Sequence, residues 1–198
     1  MMNNSVPRSQ PQAPVLNIAN VLTVARIIMV PFFIAYALQD TDRGMLIATV
    51  IFLVASWTDN LDGYLARSRN LITNFGKIAD PIADKALTLS AFILLSVNGR
   101  LWWWVTIIIL VRELGITLMR MVLIRKAVMA ASRGGKIKTT LQMTGLVGLL
   151  TPWSMFLPDS VAHWLVVISD GIIGAALVVT VVTGIDYIKS AWQMSRAA

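Results

Sequence analysis

Asp59-Asn60-Leu61-Asp62-Gly63-Tyr64-Leu65-Ala66-Arg67, followed after eight residues by Gly76-Lys77-Ile78-Ala79-Asp80-Pro81-Ile82-Ala83-Asp84, sets four carboxylates in a strongly apolar chain. At 100° per residue, Asp59, Asp62, Gly63, Ala66 and Arg67 share a helical sector about 140° wide, and Gly76, Asp80 and Asp84 share one about 80° wide. Each segment therefore reads as a helix with an acidic face that also carries small residues. The short link predicts antiparallel neighbours whose acidic faces can meet. Like charges so close would force protonation unless a cation neutralised them. An all-oxygen donor set without His or Cys points to a hard ion, Mg²⁺ or Mn²⁺ before Ca²⁺. The alternative is a salt-bridge network with Arg67, Lys77 and Lys85, but such a network has no use for the space that Gly63, Ala66 and Gly76 leave beside the acids.

The surrounding composition says where those acids sit. Of 198 residues, 57% are apolar and 14% charged, and the mean hydropathy is +0.71. Ordinary soluble domains carry roughly 25% charged residues and disordered chains lack aliphatic ones, so both classes are excluded and a membrane protein remains. There is no Cys and one His, His163, which excludes disulfide frameworks, thiolate metal sites, Cys nucleophiles and multi-histidine zinc sites. The net charge of +7 fits membrane topology and anionic headgroups. With no basic, aromatic-laced soluble module, nucleic acid is not expected as a partner.

Six apolar stretches are legible: about Ile18 to Leu38, Gly44 to Ala66, Phe75 to Val97, Leu101 to Leu123, Ile137 to Leu157 and Val161 to Ile188. The first alone spans about 31 Å as a helix, the thickness of a bilayer core. Residues 1–14, polar with three prolines, read as a disordered tail, and 15–198 as one six-helix transmembrane catalytic domain. Lys and Arg crowd the links between helices two and three and between four and five, as well as the regions flanking the first and last helices. The opposite loops hold Arg43 and Arg100. The positive-inside rule then puts both termini and the acids on the cytoplasmic side of a multi-pass protein of the cytoplasmic (inner) membrane. Trp102, Trp103, Trp104, Trp153 and Trp164 fall near the outer helix ends, as interfacial anchors do.

Taken together, Asp59-x2-Asp62-Gly63-x2-Ala66-Arg67-x8-Gly76-x3-Asp80-x3-Asp84 resembles, at every fixed position, the signature of the CDP-alcohol phosphotransferases. The resemblance implies an all-α integral membrane fold of six transmembrane helices and transfer of a phosphatidyl group from CDP-diacylglycerol to an alcohol, with release of CMP. It implies one or two Mg²⁺ (or Mn²⁺) ions on Asp59, Asp62, Asp80 and Asp84, with Asp84 as general base, and a homodimer among membrane lipids. Asp62, Gly63, Ala66, Arg67 and Gly76 are implied as the nucleotide-binding set.

Three further stretches bear on the acceptor. Asn17-Ile18-Ala19-Asn20-Val21-Leu22-Thr23, with Arg26 and Pro31, is similar to the opening of bacterial members that take glycerol 3-phosphate. Asn20, Thr23 and Arg26 form a polar sector about 120° wide and are expected to face the nucleotide cavity, although Arg26 can also snorkel to the headgroups. Arg112-Glu113 with Arg120, and Gly135-Lys136-Ile137-Lys138-Thr139-Thr140-x-Gln142, are similar to later motifs of the same members. Arg112, Arg120, Lys136 and Lys138 are the expected site for a phosphate monoester. Glu113 is expected to pair with one of the arginines. Members that take phosphatidylglycerol or inositol phosphate remain alternatives, and a divalent-cation transporter is the alternative from a different class.

Overall fold

Asn17, in extended backbone, accepts a hydrogen bond from the Asn20 N–H and so starts α1 (Ile18–Ala37). The chain turns back through Asp40, at φ +45°, in the left-handed region that Asp tolerates better than most residues. Thr41 Oγ1 then accepts the Gly44 N–H at 3.1 Å, within the first turn of α2 (Asp42–Ser68). A Cβ on Gly44 would lie 2.8 Å from the Tyr36 carbonyl oxygen, so the tight α1–α2 hairpin requires glycine there. Thr73 caps α3 (Asn74–Val97), followed by α4 (Trp103–Leu123), α5 (Arg133–Leu150), a 3-10 turn at Trp153–Met155, and α6 (Asp159–Arg196). The computed structural model describes residues 17–68, 73–123 and 133–196, and these are helical apart from short connections. The tail expected at 1–14 lies outside the described residues.

Two boundaries correct the sequence reading. The fifth helix ends at Leu150 instead of running to 157, because Pro152 has no N–H and disfavours helical backbone at the residue before it. The sixth helix has 38 residues, about 57 Å, so it extends well past its apolar portion. Over their described residues, α1 at Asn20–Ala37 and α6 at Asp159–Tyr187 are long and apolar enough to cross a membrane. α2 and α4 also turn apolar stripes outward: Ile47, Val50, Leu53 and Val54 on one, Ile107, Ile108, Val111, Leu114 and Leu118 on the other. A soluble bundle would carry polar side chains at such positions.

The core lies between the helices on the side away from the acids. Phe33 and Phe52, with ring centroids 5.9 Å apart, pack with Phe92, Leu95, Ile109, Leu146, Leu150 and Ile173. At the end of the bundle away from the acids, Asn98 Nδ2 donates to the Ala37 carbonyl at 2.9 Å and Arg100 pairs with Asp40 at 3.1 Å. α1 packs far more extensively on both α2 and α3 than those two pack on each other. The acid-bearing helices are therefore joined mainly through α1, not by the direct contact that their short link suggests.

α5 and α6 approach closely because Gly145 and Gly148 carry no side chain. A Cβ at Gly145 would stand 2.6 Å from Ile173 Cδ1, whereas one at Gly171 would meet nothing within 4 Å. Gly145→Val should therefore destabilise the protein by about 1–3 kcal/mol through overpacking, read as a lower Tm in detergent. Gly171→Val should shift Tm much less, and equal losses at the two positions would contradict the packing described.

Candidate active site

One face of α1 meets both acid-bearing helices over two consecutive turns. Asn20, Thr23 and Arg26 recur every third residue and are all buried, Arg26 completely. Such groups need partners, since an unpaired buried charge costs several kcal/mol. Arg26 Nη1 lies 2.5 Å from Asp59 Oδ1 on α2. Thr23 Oγ1 donates to Asp80 Oδ1 on α3 at 2.6 Å. Asn20 Nδ2 donates to Thr73 Oγ1 at 2.9 Å, and that same oxygen accepts the Gly76 N–H at 3.0 Å, capping α3. A Cβ at Gly76 would stand 3.0 Å from Asn20 Oδ1 and 3.6 Å from Asp80 Oδ2. Gly76 therefore has a packing duty: it lets Asn20 of α1 and the Thr73 cap close in beside Asp80.

The acids are less covered than the groups that hold them. The Asp59 side chain is 38% exposed, against 1% for Arg26, and the Asp84 side chain is 32% exposed. The acids on α2 and α3 are thus partly open to solvent, and carboxylate oxygens are hard, anionic donors of the kind a divalent cation takes. Among the described residues no three acids converge closely enough to hold a metal by themselves. The side chain of Asp62 lies outside the described residues, as do those of Gly63, Ala66, Arg67 and Arg120. Arg26, expected against the nucleotide or snorkelling, is instead a counter-ion to Asp59.

A second charged cluster begins next to Asp84. Lys85 Nζ lies 3.5 Å from Asp84 Oδ2 and 2.6 Å from Glu113 Oε2 on α4. The other carboxylate oxygen of Glu113 takes Lys138 Nζ of α5 at 2.5 Å and Arg112 Nη1 at 2.9 Å. Arg112 reaches on to α6, donating from Nε to the Thr180 carbonyl at 3.1 Å and from Nη2 to Thr183 Oγ1 at 2.7 Å. Gly184 leaves room for this, since a Cβ there would stand 3.3 Å from Arg112 Cγ. Gln142 Nε2 donates to Thr180 Oγ1 at 3.3 Å. Glu113, only 3% exposed, is the common counter-ion of three cations, so the cluster keeps an excess of positive charge.

Of the expected phosphate-binding residues, the structure brings Arg112 and Lys138 together. Lys136 is exposed, because a step of two residues on a helix turns it about 200° away from Lys138. The sequence reading did not assign Thr73, Lys85, Thr180 or Thr183 to the site. Two threonines three residues apart in the apolar stretch 172–185 of α6 were the available signal for that helix. Lys85 had been weighed only as a partner for the neighbouring acids.

Comparison with known proteins places the chain in a family. Residues 16–185 match the CDP-alcohol phosphatidyltransferase family. A probable phosphatidylglycerophosphate synthase of Mycobacterium tuberculosis is 43% identical over 183 residues, covering 91% of this chain and 84% of its own. The CDP-diacylglycerol–glycerol-3-phosphate 3-phosphatidyltransferase of Bacillus subtilis is 35% identical, covering 92% of this chain and 98% of its own. Its counterpart in Yersinia enterocolitica is 33% identical, covering 90% and 96%. A match over most of the chain, with the acidic motif complete and its two helices joined through α1, places this chain in the CDP-alcohol phosphatidyltransferase family.

Proposed function

We propose that the protein transfers the phosphatidyl group of CDP-diacylglycerol to glycerol 3-phosphate, forming phosphatidylglycerophosphate and CMP. The observation that carries the choice of acceptor is the Glu113 cluster: Lys85, Lys138 and Arg112 surround one carboxylate, and Lys85 also touches Asp84. An excess of cations beside the base suits a phosphate monoester, whereas an uncharged alcohol would leave those cations uncompensated. The names of the relatives above support the same reading. For a cation transporter, polar groups should continue toward the outer face, yet that side holds the apolar core around Phe33, Phe52 and Phe92.

Asp84 is assigned as general base. The acceptor hydroxyl gives its proton to the Asp84 carboxylate as its oxygen bonds to the lipid-bearing phosphorus, and the bond from that phosphorus to the CMP oxygen breaks. Arg112 and Lys138, with Arg120 from the next turns of α4, hold the acceptor phosphate so that the free hydroxyl points toward Asp84. Lys136, exposed near the start of α5, is turned away from this cluster and is not assigned to the acceptor phosphate. Gly63, Ala66 and Arg67 are assigned to the nucleotide by the motif they belong to. The family generally uses divalent metal ions, and Asp59, Asp62, Asp80 and Asp84 are the residues that would hold one or two Mg²⁺ or Mn²⁺. When bound, such an ion supplies positive charge to the pyrophosphate and to the departing CMP. The assembly is placed in the cytoplasmic membrane as a six-helix homodimer, with the acids facing the cytoplasm.

Asp84→Asn should lower kcat by about two to four powers of ten while CDP-diacylglycerol binding stays within a few fold. Near-normal turnover would remove Asp84 from the role of base. Losing a charge-assisted contact to phosphate costs about 1.5–3 kcal/mol, so Arg120→Ala should lower kcat/KM for glycerol 3-phosphate by about one to two powers of ten. The KM for CDP-diacylglycerol should change much less, and the reverse pattern would put Arg120 on the nucleotide side. Orientation is open to direct labelling, because the chain has no native Cys. In intact cells, an impermeant thiol reagent should modify Ser154→Cys and spare Ser132→Cys. The opposite pattern would invert the topology.

A further inference from the structure

We propose that Thr23 is a positioning residue for the acid cluster: its hydroxyl binds one oxygen of Asp80 and so fixes the direction of the other. The inference rests on the reading of Asp80 as a ligand to a divalent cation, and it assigns Thr23 to the cation site instead of the nucleotide. Thr23 Oγ1 donates to Asp80 Oδ1 at 2.6 Å, while Asp80 Oδ2 borders the volume that a Cβ on Gly76 would fill. Thr23 is 1% exposed, so the nucleotide does not reach its side chain without a rearrangement of α1. One turn along the same face, Arg26 holds Asp59 by one oxygen, with the Asp59 side chain 38% exposed.

The two contacts share one pattern. The donors are buried inside the bundle and the acids are the more open partners, each held through Oδ1 from the α1 side. Hydrogen bonds to the back of metal-ligating carboxylates fix their orientation, and losing such a partner typically weakens metal affinity or activity by about 10–100-fold. α1 carries no residue of the acidic motif, yet it orients the carboxylates of the two helices that do.

The test is Mn²⁺ binding to the purified protein in detergent, followed by electron paramagnetic resonance without nucleotide, for wild type, Thr23→Val and Thr23→Ser. Thr49→Val is the control, a buried threonine whose hydroxyl bonds the Met45 carbonyl within α2. Thr23→Val should raise the Mn²⁺ Kd about tenfold or more and raise the Mg²⁺ concentration needed for half-maximal turnover. Thr23→Ser, which keeps the donor, should restore both to within about threefold, and Thr49→Val should leave both unchanged. KM for the acceptor should not move in any variant. Wild-type Mn²⁺ affinity in Thr23→Val, with a raised KM for CDP-diacylglycerol at saturating metal, would overturn the proposal and make Thr23 a nucleotide contact. Loss of Mn²⁺ affinity in Thr23→Ser and Thr49→Val as well would overturn it in favour of a general packing effect. No Mn²⁺ bound by the wild type would instead refute the cation-site reading on which the inference rests.

Discussion

A carboxylate within a lipid-embedded helix bundle is tolerated only where a cation, a hydrogen-bond donor or a metal offsets the several kcal/mol lost with its hydration. That constraint organises one end of this protein. Asp59 has Arg26, Asp80 has Thr23, and Asp84 has Lys85, which in turn is held by Glu113. Arg26 and Thr23 come from α1, Lys85 sits beside Asp84 on α3, and Glu113 comes from α4, so these contacts are complete only when α1, α2, α3 and α4 are assembled. Breaking one such pair costs about 3–5 kcal/mol by leaving a charge uncompensated, so the active end and the assembly of the bundle depend on the same contacts.

The two charged clusters have opposite characters and meet at Asp84 and Lys85. On the α1 side, buried donors hold acids whose remaining faces are open, an arrangement suited to a cation and a pyrophosphate. On the α5 and α6 side, one buried carboxylate holds several cations, suited to an anion. Adjacent residues on α3 thus belong to both clusters, Asp84 through its carboxylate and Lys85 through its ammonium group. The glycines serve this arrangement by position: Gly76 lets α1 approach and Gly184 makes room for Arg112.

Much of this was legible in the sequence because it is local. The spacing of Asp59 and Asp62, and of Asp80 and Asp84, put acids on helix faces by arithmetic alone, and the helices bearing them were placed within two residues at each end. Arg112 beside Glu113 was readable as an ion pair for the same reason. What was not legible depends on contacts far apart in sequence. Lys85 and Glu113 are 28 residues apart and Arg26 and Asp59 are 33 apart, and no helical period relates such pairs. Among the described residues α2 and α3 do touch, as the short link suggests, but each packs far more on α1, since adjacency in sequence does not determine how much surface two helices share. The early end of α5 was within reach, because Pro152 lies inside the apolar run that continues to Leu157.

The central claim is that the acid cluster transfers a phosphatidyl group to a phosphate monoester held by the cations around Glu113. The most direct measurement incubates purified protein with labelled CDP-diacylglycerol, Mg²⁺ and, separately, glycerol 3-phosphate, glycerol, phosphatidylglycerol and inositol phosphate, with the lipid products resolved and CMP quantified. The expected result is stoichiometric CMP and phosphatidylglycerophosphate with glycerol 3-phosphate, and little product with the others. Equal use of glycerol, or a preference for phosphatidylglycerol or inositol phosphate, would contradict the claim.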